Sequence, residues 1–185
     1  ETKNMSRRQI AQELECNFNM SGETVFHPDK MKYLSGFVHD PKYRTGFDRN
    51  YWIWKEPESG VPYLLSADVA RGDGKDFSVF HVFNTLTMEI VAEYQGRVTP
   101  DLFSKIVFDA GREYSDCMVV VENNTVGFAV LTKLREMNYP NIYHSIKSTH
   151  EYVDQVTAEA ATNAVPGFTT SQKTRPLIVA KLEEF

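Results

Sequence analysis

The chain has 185 residues, of which 42% are hydrophobic and 24% charged, values typical of a globular protein with room for one ordinary domain and an arm. No apolar stretch approaches the roughly 18 residues of a membrane span, and the first residues lack the basic-then-apolar pattern of a secretory signal. The net charge of −5 argues against a nucleic-acid coat protein, but it leaves open an acidic site that works through divalent cations.

The first 60 residues predict an arm. Residues 5–16 predict a short helix, and an aromatic-rich stretch with several prolines follows to about Gly60. The pattern of an ordered domain begins at Val61, so we expect an arm over residues 1–60 and a domain over residues 61–185.

The domain begins with three strands joined by short turns and then alternates helices and strands. Thr99-Pro100-Asp101 predicts a helix start, with a capping threonine and a proline at the first helical position. The predicted elements are strands over 62–70, 77–84 and 88–95, a helix from 99, a strand over 117–122, a helix over 126–137, a strand over 141–145 and a last helix from about 176.

This element order is typical of the RNase H-like fold, an α/β fold with a central mixed five-stranded sheet flanked by helices. A doubly wound nucleotide-binding sheet would alternate strands and helices from its start. In the RNase H-like order, the first and fourth strands lie side by side at the sheet centre.

Two acidic residues occupy those two strands. Asp68 lies in the first and Glu122 at the carboxyl end of the fourth, each after an apolar run. Neighbouring strands are about 4.8 Å apart, so carboxylates at matching levels can share a cation, which would offset the cost of burying them. Oxygen ligands suit Mg²⁺ or Mn²⁺, and two such ions about 4 Å apart can hydrolyse a phosphodiester. A lone acid at a strand end is otherwise more often solvated or a helix cap.

Four further residues are candidates with an ordinary alternative each. Asp76, eight residues after Asp68, is either an auxiliary catalytic acid or a turn residue. Asn124, directly after the fourth strand, either helps to bind a phosphate or caps a helix. Lys173 and Arg175, at the front of the last helix, either contact nucleic acid or are solvated charges.

Three sequence segments resemble the large terminase subunit of tailed bacteriophages, of the T-even-like type. They are SADVARGDGKDFSVF (66–80), VVVENNTVG (119–127) and QKTRPLIVAKLEEF (172–185). Residues 8–18 also resemble the segment that closes the ATPase domain of that family. The resemblance implies that Asp68, Glu122 and Asp76 are catalytic, that the substrate is double-stranded DNA, and that residues 1–60 come from the end of an ATPase domain absent here.

The resemblance further implies a nuclease with two Mg²⁺ or Mn²⁺ ions that cuts concatemeric viral DNA. The implied partners are the portal protein and the small terminase subunit, in the host cell cytoplasm and without a membrane. The third catalytic aspartate of the family comes after the last helix, so we expect the domain to be truncated at its carboxyl end and weak or inactive.

Two alternatives stay open. The first is a non-catalytic module of the same fold that clamps DNA or docks on the portal. The second is another RNase H-like enzyme, such as a junction resolvase or transposase, which would lack the amino-terminal arm.

Overall fold

The computed structural model describes residues 28–146, 163–172 and 174–183. The predicted helix over residues 5–16, the segment 8–18 and Lys173 lie outside the described residues. The chain divides into two compact units, residues 1–40 with 171–185, and residues 41–170.

In the first unit, the described helices are α1 (Pro28–Ser35) and α4 (Thr174–Glu183). Helix α4 agrees with the helix predicted from about Pro176. None of the described helices combines the length and the hydrophobicity that a membrane span requires.

The second unit is built on a mixed six-stranded sheet. Its elements are β1 (Tyr43–Thr45), β2 (Tyr51–Ile53), β3 (Tyr63–Asp68), β4 (Ser78–Asn84), β5 (Glu89–Gly96), α2 (Pro100–Glu113), β6 (Met118–Val121), α3 (Thr125–Glu136), β7 (His144–Ile146) and β8 (Ala164–Pro166). The strand order is β1-β2-β5-β4-β3-β6, in which only β3 and β6 pair in parallel.

This topology confirms the predicted antiparallel meander, which is β3-β4-β5, and the parallel pairing of the first and fourth domain strands. The predicted strand number, five, is wrong. Strands β1 and β2 come from the segment predicted as an arm, and they join the meander through the pairing of β2 with β5. The strand predicted over 141–145 makes one bridge, from Ile142 to Val119, before β7 pairs with β8 in a separate small sheet.

Helices α2 and α3 cover one face of the sheet. Alternate residues of the central strands point to that face and are fully buried, for example Leu65, Phe80 and Val119. They pack against apolar side chains of the helices such as Phe103 and Leu134. Helix α2 begins as predicted, since the Thr99 side chain accepts a hydrogen bond from the Leu102 N–H at 3.4 Å.

The other residues of the same strands point to the opposite face. In β3, buried Leu65 and Ala67 alternate with exposed Ser66 and Asp68. Val120 of β6 is only half-buried, unlike its neighbours Val119 and Val121 on the covered face. The chemistry-bearing side chains therefore lie on the face that α2 and α3 leave open.

Candidate functional site

Asp68 and Glu122 lie side by side at one end of the sheet. Asp68 is the last residue of β3, and Glu122 directly follows β6. The two strands are paired up to Ala67 and Val121, and the Glu122 N–H donates to the Ala67 carbonyl oxygen at 3.3 Å. The next position on each strand is an acid, so the two carboxylates start from neighbouring backbones about 4.8 Å apart.

Both acids line one open cleft with a volume of about 490 Å³. The floor of this cleft is the open face of the sheet, and its wall comes from the segment that follows β8. The lining residues are Ser66, Ala67, Asp68, Val79, His81, Val120, Glu122, Phe168 and Thr170.

Backbone hydrogen bonds join the wall segment at Phe168 to the end of β6, next to Glu122. The Phe168 N–H donates to the Val121 carbonyl oxygen at 2.8 Å, and the Asn123 N–H donates to the Phe168 carbonyl oxygen at 2.9 Å. The Asn123 side-chain amide also donates to the Pro166 carbonyl oxygen and to Thr169 Oγ1, at 3.1 and 2.9 Å. No motif in the sequence predicts this wall, because it depends on pairing between segments about 45 residues apart in the chain.

Asn124 caps helix α3. Its side-chain Oδ1 accepts a hydrogen bond from the Gly127 N–H at 2.8 Å, and its Nδ2 lies 3.5 Å from Glu122 Oε2. A Cβ built on Gly127 would overlap the Glu122 carbonyl oxygen, so the absence of a side chain lets the start of α3 pack closely against the end of β6. Of the two alternatives for Asn124, the structure shows the cap, and a role in phosphate binding remains a prediction.

His81 also lines the cleft, although it was not predicted as a site residue from the sequence. It pairs with Ser66 across β3 and β4, and its Nε2 lies 3.2 Å from Glu93 Oε2 on β5. The period of two along β4, which places His81 on the same face as Val79, is the signal that would have found it.

The other predicted site residues lie elsewhere. Asp76 is exposed in the connection before β4 and does not line the cleft. Arg175 is exposed at the start of α4, where its backbone N–H donates to the Ser171 carbonyl oxygen at 2.9 Å. The catalytic role of Asp76 and the contact of Arg175 with nucleic acid remain predictions.

The two acids were expected to be buried and to need a cation for that reason, but neither is buried. Asp68 is exposed and Glu122 is only half-buried, so water solvates both carboxylates in part. What favours a cation is that the two carboxylates line one cleft from adjacent positions of two paired strands.

The donor set fits an oxygen-preferring divalent ion. Carboxylates are the protein ligands that Mg²⁺ uses, and Mg²⁺ keeps several waters, so the chemistry of Asp68 and Glu122 fits such an ion. Among the described residues, no group of three or more His, Cys, Asp or Glu side chains could hold a metal.

Comparison with solved structures identifies the fold. The large terminase nuclease of the thermophilic phage G20c with bound magnesium matches with a TM-score of 0.54 at 16% identity, covering 79% of this chain and 63% of that chain. The cobalt-bound structure of the same nuclease gives the same values. The large terminase nuclease domain of Thermus phage P74-26 matches with a TM-score of 0.47 at 18% identity, covering 60% of this chain and 55% of that chain. No protein-family model and no curated protein matches the sequence.

At these identities the likeness shows the fold alone. The chain has the mixed α/β fold, with a central mixed sheet and flanking helices, of the RNase H-like terminase nucleases. It spans 51% to 63% of the length of the nuclease chains it matches.

Proposed function

We propose that this chain is the metal-dependent endonuclease domain of a viral DNA-packaging terminase, which cuts double-stranded concatemeric DNA. The observation that carries the proposal is the placement of Asp68 and Glu122 at one level of two adjacent parallel strands, in one cleft. The likeness in fold to nuclease domains of phage terminases supports it.

In this proposal the carboxylates of Asp68 and Glu122 hold Mg²⁺ or Mn²⁺ above the end of the sheet. Two bound ions would supply an activated water and would stabilise the leaving oxygen of the phosphodiester. The side-chain amide of Asn124 lies 3.5 Å from the Glu122 carboxylate, and its oxygen caps the start of α3. Asp76, the predicted auxiliary acid, is exposed in the loop before β4, and its role stays a proposal.

The partners follow from the sequence resemblance. We propose that the domain meets double-stranded DNA together with the portal protein and the small terminase subunit in the host cell cytoplasm. Under the same proposal, the part of the predicted arm that precedes β1 connects the nuclease to an ATPase domain, because β1 and β2 belong to the nuclease sheet.

Cleavage of plasmid DNA tests this function. The purified chain, used at high concentration, should slowly convert supercoiled plasmid to nicked and linear forms with Mn²⁺ or Mg²⁺ and without sequence preference. Asp68→Asn and Glu122→Gln should each abolish cleavage, because the ligands act as a unit. Asp109→Asn, an equal change of charge at an exposed position of α2, is the matched control and should cleave like wild type. Cleavage by either site variant at the wild-type rate would refute the assignment.

A second candidate is a non-catalytic module that clamps DNA or docks on the portal. The observation that favours it is that only two carboxylates, Asp68 and Glu122, line the cleft among the described residues. A calorimetric Mn²⁺ titration discriminates between the two. Binding that disappears in Asp68→Asn supports the nuclease, and no binding at millimolar concentration supports the clamp.

A junction resolvase of the same fold would differ in substrate. It should prefer a branched four-way DNA substrate over a linear duplex of the same sequence. The terminase proposal predicts equal or faster cleavage of the linear duplex.

A further inference from the structure

Three basic side chains lie at the end of the sheet that carries the cleft. Arg71 and Lys75 are in the connection between β3 and β4, and Arg97 directly follows β5. All three are exposed. Strand pairing places them together, since Asp68 pairs with Val79 at the start of β4 and the neighbouring Ser78 pairs with Gly96 at the end of β5. We call Arg71, Lys75 and Arg97 the basic rim.

Arg97 is held in one orientation. Its guanidinium carbon lies 4.3 Å from the centre of the Phe77 ring, and its Nε donates to the Lys75 carbonyl oxygen at 3.2 Å. These contacts use one N–H donor and one face of the guanidinium group, which leaves the two terminal nitrogens and their four N–H donors. Within the described part of the chain, neither Arg97 nor Lys75 forms a side-chain ion pair with an acid.

The loop that carries the rim is packed against the backbone after β5. Gly72 has φ of +83°, and a Cβ at this position would overlap the carbonyl oxygen of Val98. Arg71 is paired with Asp73 at 2.8 Å, so one of the two acids in the loop is neutralised locally. The other acid, Asp76, is exposed and adds one negative charge to the rim.

We propose that the basic rim binds the phosphate backbone of duplex DNA next to the cleft, with Arg97 as its central contact. A planar guanidinium group with both terminal nitrogens free is the protein group best suited to phosphate oxygens. An arginine held in place before binding also loses little side-chain entropy when the phosphate arrives.

The spacing agrees with a duplex that crosses the end of the sheet. Strands β3 and β5 flank β4, so Arg97 and Asp68 start two strand spacings apart, roughly 10 Å. That distance is about the rise of three base pairs. A duplex whose scissile phosphate lies over the two carboxylates would therefore bring a backbone phosphate to the rim about three steps away. This inference rests on the proposed function, because it assumes the same DNA substrate.

DNA-binding anisotropy without cleavage tests the rim. The 185-residue chain is titrated onto a short fluorescein-labelled duplex in EDTA at several salt concentrations. Arg97→Gln should weaken binding by roughly 5- to 10-fold, as expected for one charge-assisted contact, and should reduce the slope of log K against log salt by about 0.9. Arg97→Lys keeps the charge but loses the planar pair of N–H donors, so its DNA affinity should lie between those of wild type and Arg97→Gln.

Matched variants separate this effect from folding and from general charge. Lys75→Gln removes a charge from the rim without touching the anchoring of Arg97, which uses the Lys75 backbone, and it should also weaken binding. Arg135→Gln removes an exposed charge from the last turn of α3, at the opposite end of the sheet, and should bind like wild type.

The outcomes distinguish this inference from the proposed function. If wild type cleaves DNA while Arg97→Gln and Lys75→Gln bind like Arg135→Gln, the rim proposal is wrong and the nuclease stands. If wild type binds through the rim but never cleaves, the nuclease proposal fails and the rim stands. If wild type binds no duplex, both are refuted.

Discussion

Asp68 and Glu122 are fifty-four positions apart in the chain but lie next to each other in the fold. Ala67 and Val121 are the last paired residues of the parallel strands β3 and β6, and each acid is the next residue along its strand. The hydrogen bond from the Glu122 N–H to the Ala67 carbonyl oxygen, 3.3 Å long, fixes this level. Any change that shifts β6 along β3 by one residue would turn Glu122 to the buried face, since side chains alternate along a strand.

Gly127→Ala should both destabilise the fold and displace Glu122. A Cβ at position 127 overlaps the Glu122 carbonyl oxygen, so either the start of α3 or the end of β6 has to move. We expect a loss of about 1–3 kcal/mol in the free energy of unfolding, together with weaker Mn²⁺ binding. Urea denaturation and calorimetry measure the two effects.

The matched control is Gly74→Ala, because a Cβ at Gly74 would have no atom within 4 Å. It should leave both the stability and the Mn²⁺ affinity close to wild type. Equal stabilities of Gly127→Ala and Gly74→Ala would contradict the close packing of α3 on the end of β6.

Asn124→Ala should remove the cap of α3. The Gly127 N–H loses its acceptor at 2.8 Å, and the expected cost is about 1 kcal/mol in the free energy of unfolding. Asn124→Asp keeps the cap acceptor but places a negative charge beside Glu122, so it should be as stable as wild type in high salt and should bind DNA more weakly. Thermal denaturation and DNA titration check both variants, and an Asn124→Ala variant as stable as wild type would contradict the cap.

Glu113 should make the stability depend on pH. Burial raises the pKa of Glu113, the hydrogen bond from Tyr51 at 3.1 Å lowers it, and the nearby Glu56 raises it further. The folded state then holds a proton that the unfolded chain has released. The stabilising contribution is therefore present at low pH and is lost as pH rises through the raised pKa of Glu113.

Tyr51→Phe tests that account. It removes the hydrogen bond that favours the charged carboxylate, so the pKa of Glu113 should rise further, and the fall in stability should extend to a higher pH and be larger. Carbon-detected NMR titration of the Glu113 carboxyl and denaturation at several pH values measure this. In Glu113→Gln the dependence on this group should vanish, and an unchanged pH profile in that variant would rule out Glu113 as its source.

The sequence was most informative where a single strand or helix carried the signal. The capping Thr99, the apolar runs before Asp68 and Glu122, and the short turns of the meander predicted the order of the elements and the parallel pairing of β3 with β6. These features depend on local propensity and on a period of two or 3.6 residues.

Apart from the parallel pairing of β3 with β6, which the element order of the RNase H-like fold implied, features that depend on long-range pairing were not predicted. Strands β1 and β2 have three residues each and belong to the sheet only because β2 pairs with β5. The wall at Phe168 depends on hydrogen bonds to Val121 and Asn123, and the place of His81 in the cleft depends on the register of β3 and β4. The exposure of Asp68 was missed because an apolar run before an acid does not reveal whether the other face of the sheet is covered.

The most direct test of the central claim is to locate bound Mn²⁺ by paramagnetic broadening of amide NMR signals. We predict that substoichiometric Mn²⁺ broadens the signals of Asp68, Glu122 and their sequence neighbours together, and that Asp68→Asn abolishes the broadening at both strands. Broadening at only one of the two strands, or broadening that survives in Asp68→Asn, would contradict a cation site shared by these two carboxylates.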